Sequence, residues 1–461
     1  MKPILLWLRR DLRLTDNPAL SEAAETGRPV VPVFILDEVV ETWGAAPSWR
    51  IGLGLEAMAG RLEGIGARLI LRRGRALDVL RALVEETGAE TVCWNRLYVA
   101  DERERDTGVK AALEADGVEA RSHHAHVLFE PWTVETKTGG FYKVYTPYWK
   151  NVRDRALERP LAPVEALTAP ENWPASDDLS DWGLGAGMDR GAAVVAGHVH
   201  VGELAARDRL VTFVEQKLDR YVAGRDDLAV DGASGLSENL TYGEISAREC
   251  WFAGQKALHE GEGQAETFLQ ELAWRDFAHH LAFHTPRLTK SNWRSEFDAF
   301  PWDRESERAE AWRRGVTGVE VVDAAMRELY VTGRMHNRAR MIAGSYLTKH
   351  LMTHWRLGCD WFADTLIDWD PASNALGWQW VAGSGPDASP FFRIFNPDTQ
   401  ARKFDRRRRY RDHWLKDDDF YAAIPRRWNM SADDTYPDAP IVGLAEGRTR
   451  ALEAYRTRDD A

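Results

Sequence analysis

GRMHNRARM (Gly333–Met341) and LIDWDPASNALGWQWVAGSGPDASPFFRIFNP (Leu366–Pro397) decide how this chain is read. Trp378 and Trp380 lie two residues apart in the second stretch. On a helix, two residues are separated by about 200°, so the two rings must face opposite sides. One ring is then free to pack inside while the other meets something outside. The residues before this stretch carry helical spacing. Val319, Val322, Met326 and Leu329 predict a helix over Val319–Tyr330, with Thr317 as its cap. Met335, Ala339, Ile342 and Tyr346 continue the period, Leu347, Leu351 and Trp355 extend it, and Gly358 is expected to stop it. Asn337, Arg338 and Met341 fall near one end of that helix. From about Gly197 onward the pattern stays helical.

The N-terminal third alternates differently. Ile4–Leu8, Val30–Asp37, Ala67–Arg73 and Thr91–Asn95 read as short buried strands, separated by helices over Trp49–Leu62, Ala76–Glu86 and Asp101–Glu114. This predicts an α/β domain, a doubly wound parallel sheet, followed by an all-α domain. GLGLEA (Gly52–Ala57) lacks the third glycine of a dinucleotide fingerprint and sits inside a predicted helix, so that motif is rejected. Prolines at 160, 163, 170 and 174 mark a connector. The expected division is 1–130, a connector over 131–196, and a helical domain over 197–461.

Composition narrows the function. Hydrophobic content of 44% and charged content of 29% describe a globular chain. A net charge of −12 argues against a nonspecific nucleic-acid coat but leaves room for a local basic groove. Acids crowd Asp177–Asp189, Asp226–Glu238 and Asp417–Asp419, whereas Arg406–Arg409 form a basic run beside the tryptophan-rich stretch. Three scattered cysteines exclude a disulfide framework and a four-cysteine metal site, and fit a reducing cytoplasm. The N-terminal apolar run is too short for a membrane span or a signal peptide. Twenty tryptophans exceed what a core alone calls for, because a buried indole needs a partner for its N–H.

An ordered set of segments carries a resemblance: LWLRRDLRLTDNPAL (Leu6–Leu20), GLSENLTYGEIS (Gly235–Ser246), ELAWRDF (Glu271–Phe277), Thr317–Met341, GWQW (Gly377–Trp380) and FFRIFNPDTQARKFD (Phe391–Asp405). Over nearly its full length the chain resembles the photolyase/cryptochrome family. That resemblance implies an α/β antenna domain, a connector and a helical domain holding a U-shaped FAD. MHNR with Met341 resembles cyclobutane pyrimidine dimer photolyases, whereas (6-4) photolyases usually have histidines there. SENL and WVAGSGPDASPFF look most like the bacterial class III group. The implied reaction is light-driven. Excited, reduced anionic FAD gives an electron to a pyrimidine dimer flipped out of DNA, the cyclobutane ring splits, and the electron returns.

By the same resemblance, FAD is held by Tyr221, Ser234, Leu236, Ser237, Arg275, Asn337, Arg340, Asp368, Asp370 and Asn374. Asn374 faces the flavin's reactive nitrogen, where plant cryptochromes tend to have Asp. The lesion pocket maps onto Glu271, Trp274, Asn337, Arg338, Met341 and Trp380, with Arg225 at its edge. Arg225, Arg338, Arg393, Lys403 and Arg406 are the DNA contacts. Trp378, Trp355 and Trp302 match the electron-hopping triad that reactivates oxidised flavin. Taken singly, Trp274 and Trp380 read as core packing and Glu271 as a surface carboxylate. The ordered set is what lifts them. Asp101 and Glu102 match a pterin-recognising pair, so the expected antenna is 5,10-methenyltetrahydrofolate, with a deazaflavin second. The chain departs from relatives at Ala233, Gly235 and Glu238, and at Phe268 and Arg334, where tryptophans are frequent. The expected partner is UV-damaged DNA, bound by a monomer in the cytoplasm, at the nucleoid when engaged. A cryptochrome-type photoreceptor and a (6-4) photolyase are the alternatives.

Overall fold

Strand Ile4–Leu8 (β1) shows why the N-terminal half folds as it does. All five residues are buried. Ile4, Leu6 and Leu8 enter one core while Leu5 and Trp7 enter another, the period of two expected of a strand covered on both faces. In this computed structural model, which describes residues 1–388, 390–391, 393–416, 420–421, 430–431 and 436–457, β1 pairs in parallel with Val30–Leu36 (β2) and Thr91–Asn95 (β4). Ile70–Arg73 (β3) and Glu119–His123 (β5) close the edges, giving the order β3-β2-β1-β4-β5. Helices Pro18–Glu25 (α1) and Ala45–Glu63 (α2) cover one face. Ala76–Thr87 (α3) and Ala100–Ala115 (α4) cover the other.

One strand and one helix of the sheet domain escape the sequence reading. Strand β5 is an edge strand whose Ala120 is its one buried residue, so it lacks an apolar run. Helix α1 is signalled by Asn17 and Pro18. The Asn17 side chain accepts the N–H of Leu20, and proline opens the helix.

The helical half corrects three expectations. Val319, not Thr317, stands at the cap of Glu320–Thr332. Asp323 reaches back instead and accepts the N–H groups of Thr317 and Gly318 at 2.8 and 2.9 Å. The long period through Tyr346 is broken: Asn337–Ser345 passes into a π-helical turn over Tyr346–His350, and Trp355–Thr365 is a separate helix. Gly358 does not stop that helix but lies inside it, because a β-carbon there would collide with the Trp378 indole. The acidic run Asp417–Asp419 lies outside the described residues, as do Ser389 and Phe392 of the quoted stretch.

Charge joins the halves. Arg50 of α2 is fully buried between Glu238 at 2.7 Å and Glu244 at 2.7 Å. The connector is fastened by Arg190, which donates to the carbonyls of Leu329, Tyr330 and Thr365 at 2.9, 2.9 and 2.6 Å. These carbonyls end two helices, where a cation is favourable. Among the described residues no helix is long and apolar enough to cross a membrane.

Candidate functional site

The helix Pro371–Ala382 organises the site. Asp370 caps it, accepting Ser373 N–H at 2.7 Å, and proline occupies its first position. Ala372, Ala375, Leu376, Trp378 and Gln379 are buried, but Ser373 and Gly377 are exposed and Asn374 and Trp380 half-buried. These four lie on one face at helical spacing and form an open polar edge in an otherwise dry element. The opposed tryptophans behave as their spacing predicts. Trp378 is 3% exposed and packs on Phe362 and Trp312. Trp380 looks outward and stacks on Phe395.

Around that edge the residues fit a flavin. Arg340 binds Asp368 with two hydrogen bonds at 3.0 and 2.8 Å, and Ser237 donates to the same carboxylate at 2.7 Å. The Asn374 amide N–H donates to the carbonyl and thiol of Cys359 at 3.0 and 3.3 Å. Its carbonyl oxygen is the side chain's remaining acceptor. Gly333 ends the preceding helix with φ +70, and a β-carbon there would press on Ile367. The turn into Asn337 therefore requires glycine. Tyr221 and Leu236 are buried, and the Ser234 hydroxyl sits 3.4 Å from the Leu236 N–H.

Two departures from relatives explain each other. Glu238 is buried and gathers Arg50, Arg209 at 3.2 Å and Arg334. Burial opposes its ionisation, but these arginines hold its carboxyl below the usual range. An acid at position 238 and a guanidinium at 334 thus come as a pair.

Arg275, expected among the FAD residues, is held by His126. It donates to the His126 carbonyl at 2.8 Å and lies 2.9 Å from His126 Nε2. His126, His279 and Asp370 bring ligand-type atoms within 4.8 Å of one another. His279 Nε2 bonds Asp370 at 3.1 Å. The guanidinium at hydrogen-bond distance opposes a metal ion here, and the group reads as a buried hydrogen-bond network. Burial and Arg275 hold His126 well below its ordinary value. Burial works against the charge of Asp370, and His279 and Arg275 overcome it, leaving its carboxyl well below the usual range.

The residues expected at the lesion pocket form a second group. Arg225 pairs with Glu271 at 2.6 Å. One turn on, Trp274 stacks flat on Tyr145, with centroids 3.7 Å apart. Tyr145 is fixed by its hydroxyl on the Gln270 carbonyl at 2.6 Å and its N–H on Asp387 at 3.0 Å. Arg338 bonds Asp226 at 2.7 Å, lies 3.7 Å from the Met341 sulfur and covers the Phe404 ring. Asn337 is exposed beside it. Tyr145, Asp226 and Cys359 were missed by sequence reasoning. Each acts through a contact far along the chain that no local pattern announces.

A groove of about 470 Å³ opens next to Asp226 and Phe404, lined in part by Lys403, Arg406, Arg407 and Arg409. Arg393 is exposed as well. The triad candidates form a second track. Trp355 is fully buried and donates to Asn292 at 2.8 Å. Trp302 is 9% exposed, and the His354 ring lies 5.0 Å from Trp302 and 5.6 Å from Trp355. Trp378 rests on Gly358, one turn beyond Trp355. The antenna pair is split. Asp101 is on the surface with Lys290 at 2.7 Å, whereas Glu102 is buried against Arg10 at 3.2 Å.

A parallel doubly wound domain joined to a helical domain with an open polar edge is the two-part plan of a photolyase-type flavoprotein. Residues 4–171 match the family described as DNA photolyase, and residues 268–457 match the FAD binding domain of DNA photolyase. The chain belongs to the photolyase/cryptochrome family. It is 43% identical to a deoxyribodipyrimidine photo-lyase of Agrobacterium fabrum, over 98% of this chain and 97% of that one. The crystal structure of a bacterial class III photolyase from Agrobacterium tumefaciens superposes with a TM-score of 0.92 at 42% identity, covering 100% of this chain and 98% of that one. Cryptochrome-2 of Arabidopsis thaliana is 32% identical over 93% of this chain and 72% of its own length.

Proposed function

We propose that this protein is a deoxyribodipyrimidine photo-lyase that repairs cyclobutane pyrimidine dimers in DNA with light. The observation that carries this reading is the pairing of Arg225 with Glu271 and of Arg338 with Asp226, which ties the expected lesion residues to the basic groove that Asp226 helps to line. When bound, FAD in its reduced anionic form would supply the light-driven electron. The chain's residues bind, orient and exclude water. Arg340 and Asp368 fix each other and would hold the flavin ring. Asn374, turned by Cys359, offers an acceptor to a flavin N–H. Trp274, held flat by Tyr145, and Trp380 offer surfaces on which an extruded dimer stacks; extrusion of the target base by photolyases is a general feature of such enzymes. Glu271 accepts hydrogen bonds from the base edge. Arg225, Arg338, Arg393, Lys403 and Arg406 meet phosphates.

Residues 1–130 serve as the antenna domain, 131–196 as connector and 197–461 as the FAD domain. For the antenna we favour methenyltetrahydrofolate over a deazaflavin. Ligands of doubly wound sheets lie in the crevice where strand order reverses. Here that crevice, between the ends of β1 and β4, is filled by Arg9, Arg105, Asp37 and Asp106. Asp101 remains accessible to a pterin and Glu102 does not. The protein acts as a monomer in the cytoplasm.

The test is repair of an oligonucleotide carrying one thymine cyclobutane dimer by purified, reduced protein under near-UV to blue light, with a dark control. Restored thymines counted by chromatography support the reading. None restored with FAD bound and reduced sinks it, and moves attention to a (6-4) lesion or a photoreceptor role.

A further inference from the structure

Glu328 stands between two parts of the proposed repair site and belongs to neither. It projects from Glu320–Thr332, half-buried. Its carboxylate accepts the backbone N–H of His336 at 3.2 and 3.3 Å and the hydroxyl of Tyr410. His336 starts the helix Asn337–Ser345, its Nδ1 accepting the N–H of Arg338 at 3.1 Å. Asn337, Arg338, Arg340 and Met341 all hang from that start. Tyr410 is buried and directly follows the basic run Arg406–Arg409. Asp405 holds the other end of the run, accepting the Tyr410 N–H at 3.1 Å and pairing with Arg411 at 2.8 Å. One carboxylate thus ties the basic loop to the lesion helix by two direct hydrogen bonds.

We infer that Glu328 is a positioning residue that couples phosphate engagement by the Arg406–Arg409 loop to seating of the dimer on the Asn337–Met341 helix. This rests on the repair reading above. A carboxylate suits the task because its Oε2 takes the Tyr410 hydroxyl and shares the His336 N–H with Oε1, whereas an amide puts an NH2 donor in place of one of these two acceptors. Burial pushes the Glu328 acid up to about 7, against the Tyr410 hydroxyl, the His336 N–H and the charges of Arg340 and Arg334. Phosphate contacts on the loop set the register of the duplex. Through Glu328 the same register reaches Asn337 and Arg338. A purely structural role would lower FAD content and weaken every DNA alike.

The test uses the full-length FAD-bound protein as wild type, Glu328→Gln, Tyr410→Phe and the double variant. Each is titrated with a fluorescent oligonucleotide containing one thymine dimer and with its undamaged counterpart. Each single variant loses about fivefold in affinity for the dimer, the worth of one hydrogen bond. FAD content and undamaged-DNA affinity hold. The double variant binds no more weakly than the worse single, since both cut one link. Unchanged dimer affinity in both singles, parallel losses on both DNAs, or an additive double overturns the coupling. If Glu328→Gln fails to fold, Tyr410→Phe, which removes a single hydroxyl, decides by the same criteria. A wild type with no preference for the dimer overturns the repair reading and the coupling together. A wild type with that preference beside indifferent variants overturns the coupling alone.

Discussion

The crevice of the sheet and the polar edge of the Pro371–Ala382 helix treat charge in opposite ways. At the strand ends, Arg9 bonds both oxygens of Asp106 at 3.0 Å, and Arg105 bonds Asp106 and Asp37 at 2.8 Å each. Arg9 and Arg105 also lie over the Trp7 ring. Burial pulls against the charge of Arg105, yet the two aspartates hold it above its ordinary value. Every charge there is answered within the protein. In the helical half, Asn374, Arg340, Glu271 and Asn337 remain partly open. A doubly wound sheet usually places its ligand at the strand ends. In this chain the sheet has closed that place, and the groups able to meet a ligand have moved to the helices.

The largest effect expected concerns the track behind the open edge. Trp378→Phe abolishes photoreduction of oxidised FAD in the presence of a thiol donor, followed by flavin absorbance. Dimer repair by chemically pre-reduced protein is unchanged. Loss of repair in that second assay would mean that Trp378 serves the lesion side, and the inward–outward division of Trp378 and Trp380 would fail. In the closed crevice the expectation reverses. Asp106→Asn leaves Arg9 and Arg105 short of a partner and costs about 3–5 kcal/mol, the price of breaking a buried ion pair. Chemical denaturation measures it. Repair at a temperature where the variant is folded stays at the wild-type level. A repair defect without a stability defect would show that the crevice is functional.

How much of this was legible in the chain follows from where each signal resides. Strands β1 and β4 are readable to the residue because burial on both faces writes a continuous apolar run. Strand β5 is not, since at an edge only one residue is buried. The helix break after Ser345 hides inside an unbroken apolar period. The π turn keeps Tyr346, Leu347 and His350 buried, so the pattern continues while the backbone changes. Gly358 misleads for a tertiary reason: it makes room for an indole from another helix. In the site, the motif residues were visible as an ordered set. Their setters, Cys359 behind Asn374, Tyr145 behind Trp274 and Glu328 behind His336, were not. Those contacts span 15, 129 and 8 residues, and only the folded chain creates them.

Lys349 offers a graded version of the same contrast. It is fully buried, with the Phe391 carbonyl at 3.0 Å and the Phe391 ring at 3.8 Å, and among the described residues no carboxylate pairs with it. Burial pushes it down to about 7. Between that value and its ordinary 10.5 the unfolded chain holds a proton that the folded one lacks. Stability therefore rises with pH through that window, by up to about 1.4 kcal/mol per pH unit. Lys349→Met lacks this slope, so its advantage over wild type shrinks as pH is raised from 7 to 10. Parallel pH profiles from denaturant titrations would mean that the lysine finds a compensating charge.

The smallest effect tests whether the open charges meet phosphate. Arg406 is exposed at the 470 Å³ groove and is not among the residues that hold Tyr410 or Asp405 in place. Its removal should leave folding, FAD content and repair at saturating substrate intact. A phosphate contact contributes counterion release, so Arg406→Ala lowers the slope of log affinity against log salt by about 1. It does so equally on damaged and undamaged duplex, because backbone contacts carry no sequence information. Asp106→Asn, deep in the crevice, leaves that slope untouched. A salt slope that moves with Asp106 and not with Arg406 would place the DNA on the sheet, and the division of labour between the two halves would have to be drawn the other way.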